Sequence, residues 1–429
     1  MATDVGPAAA MQVGAMLFLD TGSGFSLEAA QAEIGRRVRS IPRLRQRLQK
    51  VPIGLGRPIW VDDGSFDITR HVSIDDGVGD RAALLALASD FVATRLPRER
   101  PLWAARLVPI GADSAALVMV FHHVVMDGIG GLAVLGGLVD GAPEASAAGF
   151  PQPAPTTGAL ARDACGERAS NVIRLWRAPN QLRAALRELG ASGRVRSSRL
   201  PLNRPTGTRR HLAVTRCDLA TILKVARAHG GSVNDVVLAA VAGALGAVSE
   251  SLGEPADRVV VSVPVTRRRD TTSTALGNQV GVVPMELPNL PDRRHRLRAV
   301  VEQGIRLRTT PRGASAQVLG PAFRALARLG CLGWLMNHQR LVNGFVTNLR
   351  GPEEELAFLT APITDILPIT GISGNVTVAF AVFSYAGALT ITVVSDPEAI
   401  SDPGQLLAAL EVELGALTHL PPAGVEGSG

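Results

Sequence analysis

The order of apolar and polar positions lays out short strands alternating with amphipathic helices. Residues 11–20 (MQVGAMLFLD) read as a strand. Residues 26–48 read as an amphipathic helix with a basic face, interrupted near Pro42, because proline removes a backbone donor and crowds the preceding turn. Residues 59–72 (IWVDDGSFDITRHV) predict a strand and a turn. Over residues 80–96 the apolar positions recur at steps of three and four, the period of a helix with one buried face. Residues 102–110 (LWAARLVPI) and 115–121 (AALVMVF) predict strands around a Gly-Ala-Asp-Ser turn. Residues 129–141 (IGGLAVLGGLVDG) predict a small-residue helix that stops at glycine.

Residues 141–160 are rich in Pro, Ala, Gly and Ser and mark a linker. A basic, helix-rich segment follows over about 161–198, and Pro201–Pro205 marks a second boundary. Strands and helices then resume: a strand at 211–219, a helix at 219–230 ended by glycine, and a longer helix at 233–253. Residues 258–266 and 278–287 predict strands, and residues 375–396 predict two more around a Tyr-Ala-Gly turn. The pattern divides the chain into an N-terminal domain (1–145), a linker and basic helical segment (146–205), a C-terminal domain (206–420) and a frayed tail (421–429). Each half mixes strands with helices without βαβ regularity, so two α/β domains of similar build are expected.

Composition narrows the class. Apolar residues make up 46% and charged residues 19% of the 429 positions, which fits a globular chain. The net charge of +6 is almost all arginine, since Lys50 and Lys224 are the two lysines. Arginine excess reads either as genome composition or as a surface for phosphates or anionic lipid. With one tyrosine and no recognition motif, nucleic acid is not an expected partner. Cys165, Cys217 and Cys331 form no CxxC pair, so neither a zinc site nor a disulfide framework is indicated and a reducing cytosol fits. The first residues lack the basic start of a signal peptide. The longest apolar helical stretch, near Val236–Val248, is expected to fall short of the ~20 residues of a membrane span.

Two of the eight histidines stand side by side at the end of a predicted strand, in FHHVVMDG (121–128). An imidazole titrates near ~6.5 and suits general-base work at neutral pH if one tautomer is fixed and the ring reaches a cleft. A strand end is a good place for that. Asp127 could fold back to hold the loop, and Gly128 lets the chain turn into the next helix without a Cβ clash. Metal ligation is the weaker alternative, because adjacent strand residues point to opposite faces and no HExxH spacing occurs. Two satisfied core histidines remain the bland reading.

HHVVMDG matches the HHxxxDG signature of the CoA-dependent acyltransferase superfamily. PLW (101–103), SVNDVVLAAVAGAL (232–245), VPVTRR (263–268), GNQVGVVPMELP (277–288), TNLRGP (347–352) and the closing hairpin follow in order. Together they resemble the bacterial wax ester synthase/acyl-CoA:diacylglycerol acyltransferase family over about residues 11–405. The resemblance implies an α/β protein of two chloramphenicol acetyltransferase-like domains, each a mixed sheet with flanking helices, with the active site at their interface. It implies His123 as catalytic base, His122 as its supporting neighbour, Asp127 as the loop-orienting residue and Gly128 as the turn. Asn234 and Asp235 match an ND pair near the active site. Pro101, Leu102 and Trp103 match a segment tied to substrate binding and packing, and Trp103 reads equally well as core. The family's short acidic helix before the MQVG strand has no counterpart in MATDVGPAAA, so the expectation is either a true start further upstream or an acyl pocket lacking one wall.

The expected reaction is esterification of diacylglycerol or a long-chain alcohol by acyl-CoA, giving triacylglycerol or wax ester without a covalent acyl-enzyme. Acyl-CoA serves as co-substrate, with no cofactor and no metal. Asn234, Thr347, Asn348 and Ser384 are the candidate donors to the tetrahedral oxyanion. A cytoplasmic location is expected, with peripheral contact to the inner membrane face or lipid droplets through 171–189 or 318–345. Two alternatives stay open: acylation of another lipid or polyketide hydroxyl, and a catalytically idle lipid-binding homologue.

Overall fold

The computed structural model describes residues 11–22, 24–142, 149–170, 197, 200, 202–265, 281–309, 326–327, 329–400 and 402–421. Two six-stranded mixed sheets dominate it. The first is built around β1 (Gln12–Asp20), β5 (Trp103–Ile110) and β6 (Ser114–His122), with β4 (Val72–Ile74) parallel to β5 at one edge. The second runs β7 (His211–Asp218), β14 (Ala388–Ser395), β13 (Val378–Tyr385), β10 (Gly344–Arg350), β8 (Arg258–Val265) and β9 (Gly281–Pro288). In it β10 lies parallel to both β13 and β8, while the remaining pairs are antiparallel. A small hairpin joins β2 (Gln46–Gln49) to β3 (Ile59–Asp62).

The expected strands form largely where the apolar pattern puts them. The helix expected over 26–48 is shorter: α1 (Leu27–Val38) starts at the Ser26 cap and stops ahead of Pro42, and Gln46–Gln49 pairs as β2 instead. Two further helices frame the first half. α2 (Arg81–Ala93) begins where the Asp80 carboxylate accepts from the Ala83 amide, and α3 (Gly128–Leu138) begins at Asp127. In the second half, α4 (Leu219–Ala228) precedes α5 (Val233–Ser251), which opens with a capping box between Ser232 and Asp235. α6 (Arg293–Thr309), the short α7 (Leu332–His338) and α8 (Pro403–Thr418) complete the described helices that carry labels, and residues 157–170 are helical as well.

α5 overturns one expectation. At 19 residues it is long and apolar enough to cross a membrane by length and composition. Its surroundings account for the composition: 78% of that window is buried between the second sheet and α8, so the apolar face is nearly all-round.

The two halves do not separate cleanly along the chain. β12 (Ala361–Ile369), a strand the sequence does not predict, leaves the second half and pairs antiparallel with β1, followed by β11 (Ala357–Phe358) at the edge. A contiguous division at 145 and 206 does not express this exchange. Tyr385 secures the crossing: its hydroxyl donates to the Ile363 carbonyl and accepts from the Leu356 amide, each at 2.7 Å. Asp365 on β12 takes Arg81 of α2 at 2.8 Å and also contacts Arg216 of β7, so one carboxylate bridges both halves. Behind β1, an apolar cluster holding Met16, Val118, Val120, Leu212, Ala379 and Val394 joins the two sheets.

Burial pushes the His71, His211 and His229 imidazoles below their ordinary pKa. His71 lies stacked between Phe66 and Trp103, 3% exposed. These rings stay neutral in the folded protein at a pH where the unfolded chain already binds protons. Stability contributed by them is therefore present above about pH 6.5 and is lost as pH falls through that value toward the depressed folded pKa. The expected outcome is a melting temperature that drops between pH 7 and pH 5, with a smaller drop in His71→Phe; thermal melts across that range at fixed ionic strength check it.

Candidate active site

β6 is one of the two central strands of its sheet, buried from Ala115 onward, and it ends at His122. The chain then turns over five residues and re-enters a helix at Gly128. That turn carries the two histidines. The His122 amide donates to the Leu102 carbonyl and the His123 amide to the Met11 carbonyl, so both backbone positions are tied to neighbouring segments.

The hydrogen bonds select opposite tautomers for the two rings. His123 Nδ1 lies 3.0 Å from the Met126 carbonyl oxygen, which can only accept. Nδ1 therefore carries the hydrogen, and Nε2 of the neutral ring keeps its lone pair. His122 Nδ1 accepts from the Val124 amide at 3.1 Å, so its hydrogen sits on Nε2. His122 is 6% exposed and lies outside the cavity lining, whereas the half-buried His123 lines it. One histidine braces the turn and the other faces open space.

Asp127 is the N-cap of α3. Its Oδ1 accepts from the Gly130 amide at 2.9 Å, and the residue is 2% exposed. The capping carboxylate fixes where the helix begins and so where the Met126 carbonyl points. Gly128 closes the seam with the second half: a Cβ there would come within 2.8 Å of Leu349 Cδ1 on β10.

The cavity at His123 has an empty volume of about 940 Å³, including space open to solvent. Its walls come from both halves: β1, β6 and α3 on one side, and β10, β12 and β13 on the other. Thr347 lines it, and so does the exchanged strand through Ile366 and Pro368. The second-half residues expected around the reaction divide by strand parity. On β10, Thr347 and Leu349 face the His123 cavity, while Asn348 and Arg350 line a separate cavity of about 1260 Å³. Asn234 and Ser384 line that second cavity as well, and Asn348 Nδ2 donates to Asn234 Oδ1 at 3.3 Å.

Asp235 serves its own helix. Its carboxylate accepts from the Ser232 amide at 2.9 Å and from the Ser232 hydroxyl at 2.8 Å, which is the capping box of α5. Pro101, Leu102 and Trp103 are buried and absent from the cavity wall. Trp103 donates through Nε1 to the Leu44 carbonyl at 2.7 Å and stacks on Phe121, whose ring lines the cavity. The segment therefore backs the site rather than touching its contents. Among the described residues, no group of three or more His, Cys, Asp or Glu is placed to hold a metal ion. Sequence reasoning passed over the apolar wall, Val13, Ala15 and Leu17 on β1 and Leu135 and Leu138 on α3. The step of two along β1 and of three along α3 was the signal that could have found it.

Two mixed sheets sharing an exchanged strand, with the histidine turn at their seam, define a class of two-lobed acyl-transfer and condensation folds. The wax ester synthase/diacylglycerol acyltransferase from Marinobacter aquaeolei VT8 superposes with a TM-score of 0.67 at 20% identity, covering 96% of this chain and 98% of that one. The first condensation domain of the CDA synthetase superposes with a TM-score of 0.62 at 17% identity, covering 97% and 92%. Residues 5–237 match the family model described as the wax ester synthase/diacylglycerol acyltransferase catalytic domain, and residues 276–418 match the WS/DGAT C-terminal domain. The chain belongs to the wax ester synthase/diacylglycerol acyltransferase family. A Mycobacterium tuberculosis protein named "probable diacylglycerol O-acyltransferase" is 28% identical over 440 residues, spanning 96% of this chain and 92% of that protein.

Removing the cap should act through the turn. Asp127→Ala is expected to cost about 1–3 kcal/mol, since it removes a buried N-cap, and to lower turnover alongside. Chemical denaturation and a transfer assay on the same preparation check this; full stability with lost turnover would instead give Asp127 a direct part in the chemistry.

Proposed function

We propose that the protein transfers an acyl group from acyl-CoA to the hydroxyl of a diacylglycerol or a long-chain alcohol, with His123 as general base. One observation carries the reading: His123 Nδ1 is held by the Met126 carbonyl while the ring lines an apolar cavity built from both halves. A base with a committed tautomer beside a greasy cavity suits an alcohol that must lose its proton among apolar substrates.

The steps follow from that geometry. Nε2 accepts the hydroxyl proton as the alcohol oxygen attacks the thioester carbonyl carbon. The carbonyl π bond opens and its oxygen gains negative charge. Of the four donor candidates, Thr347 is the one that shares the cavity with His123, which supports its hydroxyl as a donor to that oxygen. Collapse reforms the carbonyl and expels the CoA thiolate, which takes the proton back from Nε2. Each atom is accounted for by ester plus CoA thiol, so no covalent acyl-enzyme enters.

His123→Ala is expected to lower turnover by about 10²–10⁴-fold, the usual worth of a positioned base, with the melting temperature little changed. Retention of more than about a tenth of wild-type turnover would remove His123 from this role. Labelled palmitoyl-CoA with diolein and hexadecanol in parallel reads the acceptor from the ester formed. Binding of palmitoyl-CoA without alcohol-dependent CoA release would favour the idle homologue.

The substrates are lipids, and a peripheral contact with a membrane or lipid droplet fits them. Residues 171–189 and 310–325 lie outside the described residues. In the described remainder of 318–345, Leu329, Trp334 and Leu341 are 74%, 67% and 56% exposed. Exposed large apolar side chains this close in sequence support a surface that dips into the lipid interface. Flotation with anionic liposomes is expected to carry the wild type to the lipid layer and to leave a Trp334→Ser, Leu341→Ser variant behind; equal flotation would locate the contact elsewhere.

A further inference from the structure

The lining of the cavity beside His123 stretches from the histidine turn to Leu17 on β1 and Leu138 on α3. β1 presents Val13, Ala15 and Leu17 to it, and the partners across the ladder, Phe121 and Met119 on β6 and Ile366 on β12, line it too. Residues two apart share one face of a sheet, so these side chains form a single floor. α3 runs back above that floor, because β6 ends at His122 and the helix starts six residues later. Its Gly128, Gly131, Leu135 and Leu138 form the roof.

Two rulers measure the slot. From Gln12, the ladder partner of His122, to Leu17 is five strand residues, or about 17 Å at ~3.3 Å each. From Gly128 to Leu138 is ten helical steps, or about 15 Å at ~1.5 Å each. Floor and roof agree. With a C–C bond of about 1.5 Å and tetrahedral angles, an extended chain advances about 1.25 Å per carbon. The slot therefore accommodates about twelve carbons between the imidazole and the Leu17–Leu138 end.

Three glycines border it, for different reasons. A Cβ on Gly14 would lie 2.1 Å from the Met119 carbonyl oxygen, and one on Gly128 would lie 2.8 Å from Leu349 Cδ1. At Gly14 the backbone requires glycine, and at Gly128 the Leu349 side chain across the seam would have to move. Gly131 is not: a Cβ there meets nothing within 4 Å. Glycine in a helix interior is disfavoured relative to alanine, and no packing contact asks for it at this place. What its missing side chain leaves open is the slot, one helical turn in from Gly128, about 4.5 Å along.

We propose that the slot holds one linear alkyl chain of the substrates and that Gly131 sets the length it admits. This rests on the acyl-transfer reading for what the chain is attached to; both acyl-CoA and the alcohol offer the same alkyl chemistry. A side chain at 131 would cut the slot to about four carbons, as 4.5 Å divided by the advance per carbon gives.

The test is calorimetric binding of two homologous series to the full chain, acyl-CoAs and linear alcohols from C4 to C18, with turnover of the same series in parallel. In the series whose chain occupies the slot, affinity should rise by about fourfold per methylene and flatten near C12. Gly131→Leu should move that break to about C4–C6, leave C4 binding within about twofold and keep the melting temperature. Gly131→Ala should give a smaller shift in the same direction, and covers the case of a leucine variant that does not fold. Affinity climbing without a break to C18 in both series, or a break unmoved in a folded Gly131 variant, overturns the proposal. A break that moves as expected in a protein that transfers nothing would leave the slot standing and sink the acyl-transfer reading instead.

Discussion

The site depends on one ladder of backbone hydrogen bonds, the antiparallel pairing of β1 with β12 from Gly14–Ile369 to Leu19–Ile363. A cavity walled by two halves of a chain has a fixed width only if the halves cannot slide. Side-chain packing alone tolerates small shifts, but a strand register does not: a slip of one residue would turn Ile366 and Pro368 away from the cavity and could put Asp365 and Leu367 in their places. By lending a strand to the first sheet, the second half becomes part of the wall on which the His123 turn is built. Tyr385, through Leu356 and Ile363, and the Asp365 carboxylate, at the middle of β12, anchor that loan.

Within that frame, the reactive ring is placed by ordinary means. An apolar strand ends, the chain turns, and a helix begins at a capping aspartate. The direction of the Met126 carbonyl follows from the cap, and the tautomer of His123 follows from the carbonyl. His122 has the opposite tautomer because its Nδ1 meets an amide hydrogen instead. Two identical side chains in adjacent positions thus have different chemistry, decided by whether the backbone group beside each is a donor or an acceptor. The seam adds a steric condition, since a Cβ at position 128 would press on the Leu349 side chain of β10, which would have to shift.

Residues in both halves are used differently from their appearance in the sequence. Asp235 stands beside Asn234 in a motif-like pair, yet its oxygens close the first turn of α5. Trp103 follows Pro101 and Leu102 as though in a binding segment, and it is core. Asn348 and Thr347 are neighbours in sequence and belong to different cavities, because a strand sends consecutive side chains to opposite faces.

The sequence by itself determined the two-part α/β build, the strand that ends at the histidine pair, the family and the residue facing the cavity. All of these are carried by local pattern: alternation, helical period, caps and an ordered set of short motifs. It did not reveal β12, because Pro362, Asp365 and Pro368 break the look of a buried strand and only its partner β1 makes it one. Nor did it separate Thr347 from Asn348, or show that Asp235 of the Asn-Asp pair caps its own helix. Those assignments depend on which distant segment lies against which face, and distance across the fold is not written in neighbouring residues. Tertiary structure alone decided the shared wall and which side chains line the cavity, since each is set by contacts between positions far apart in the chain.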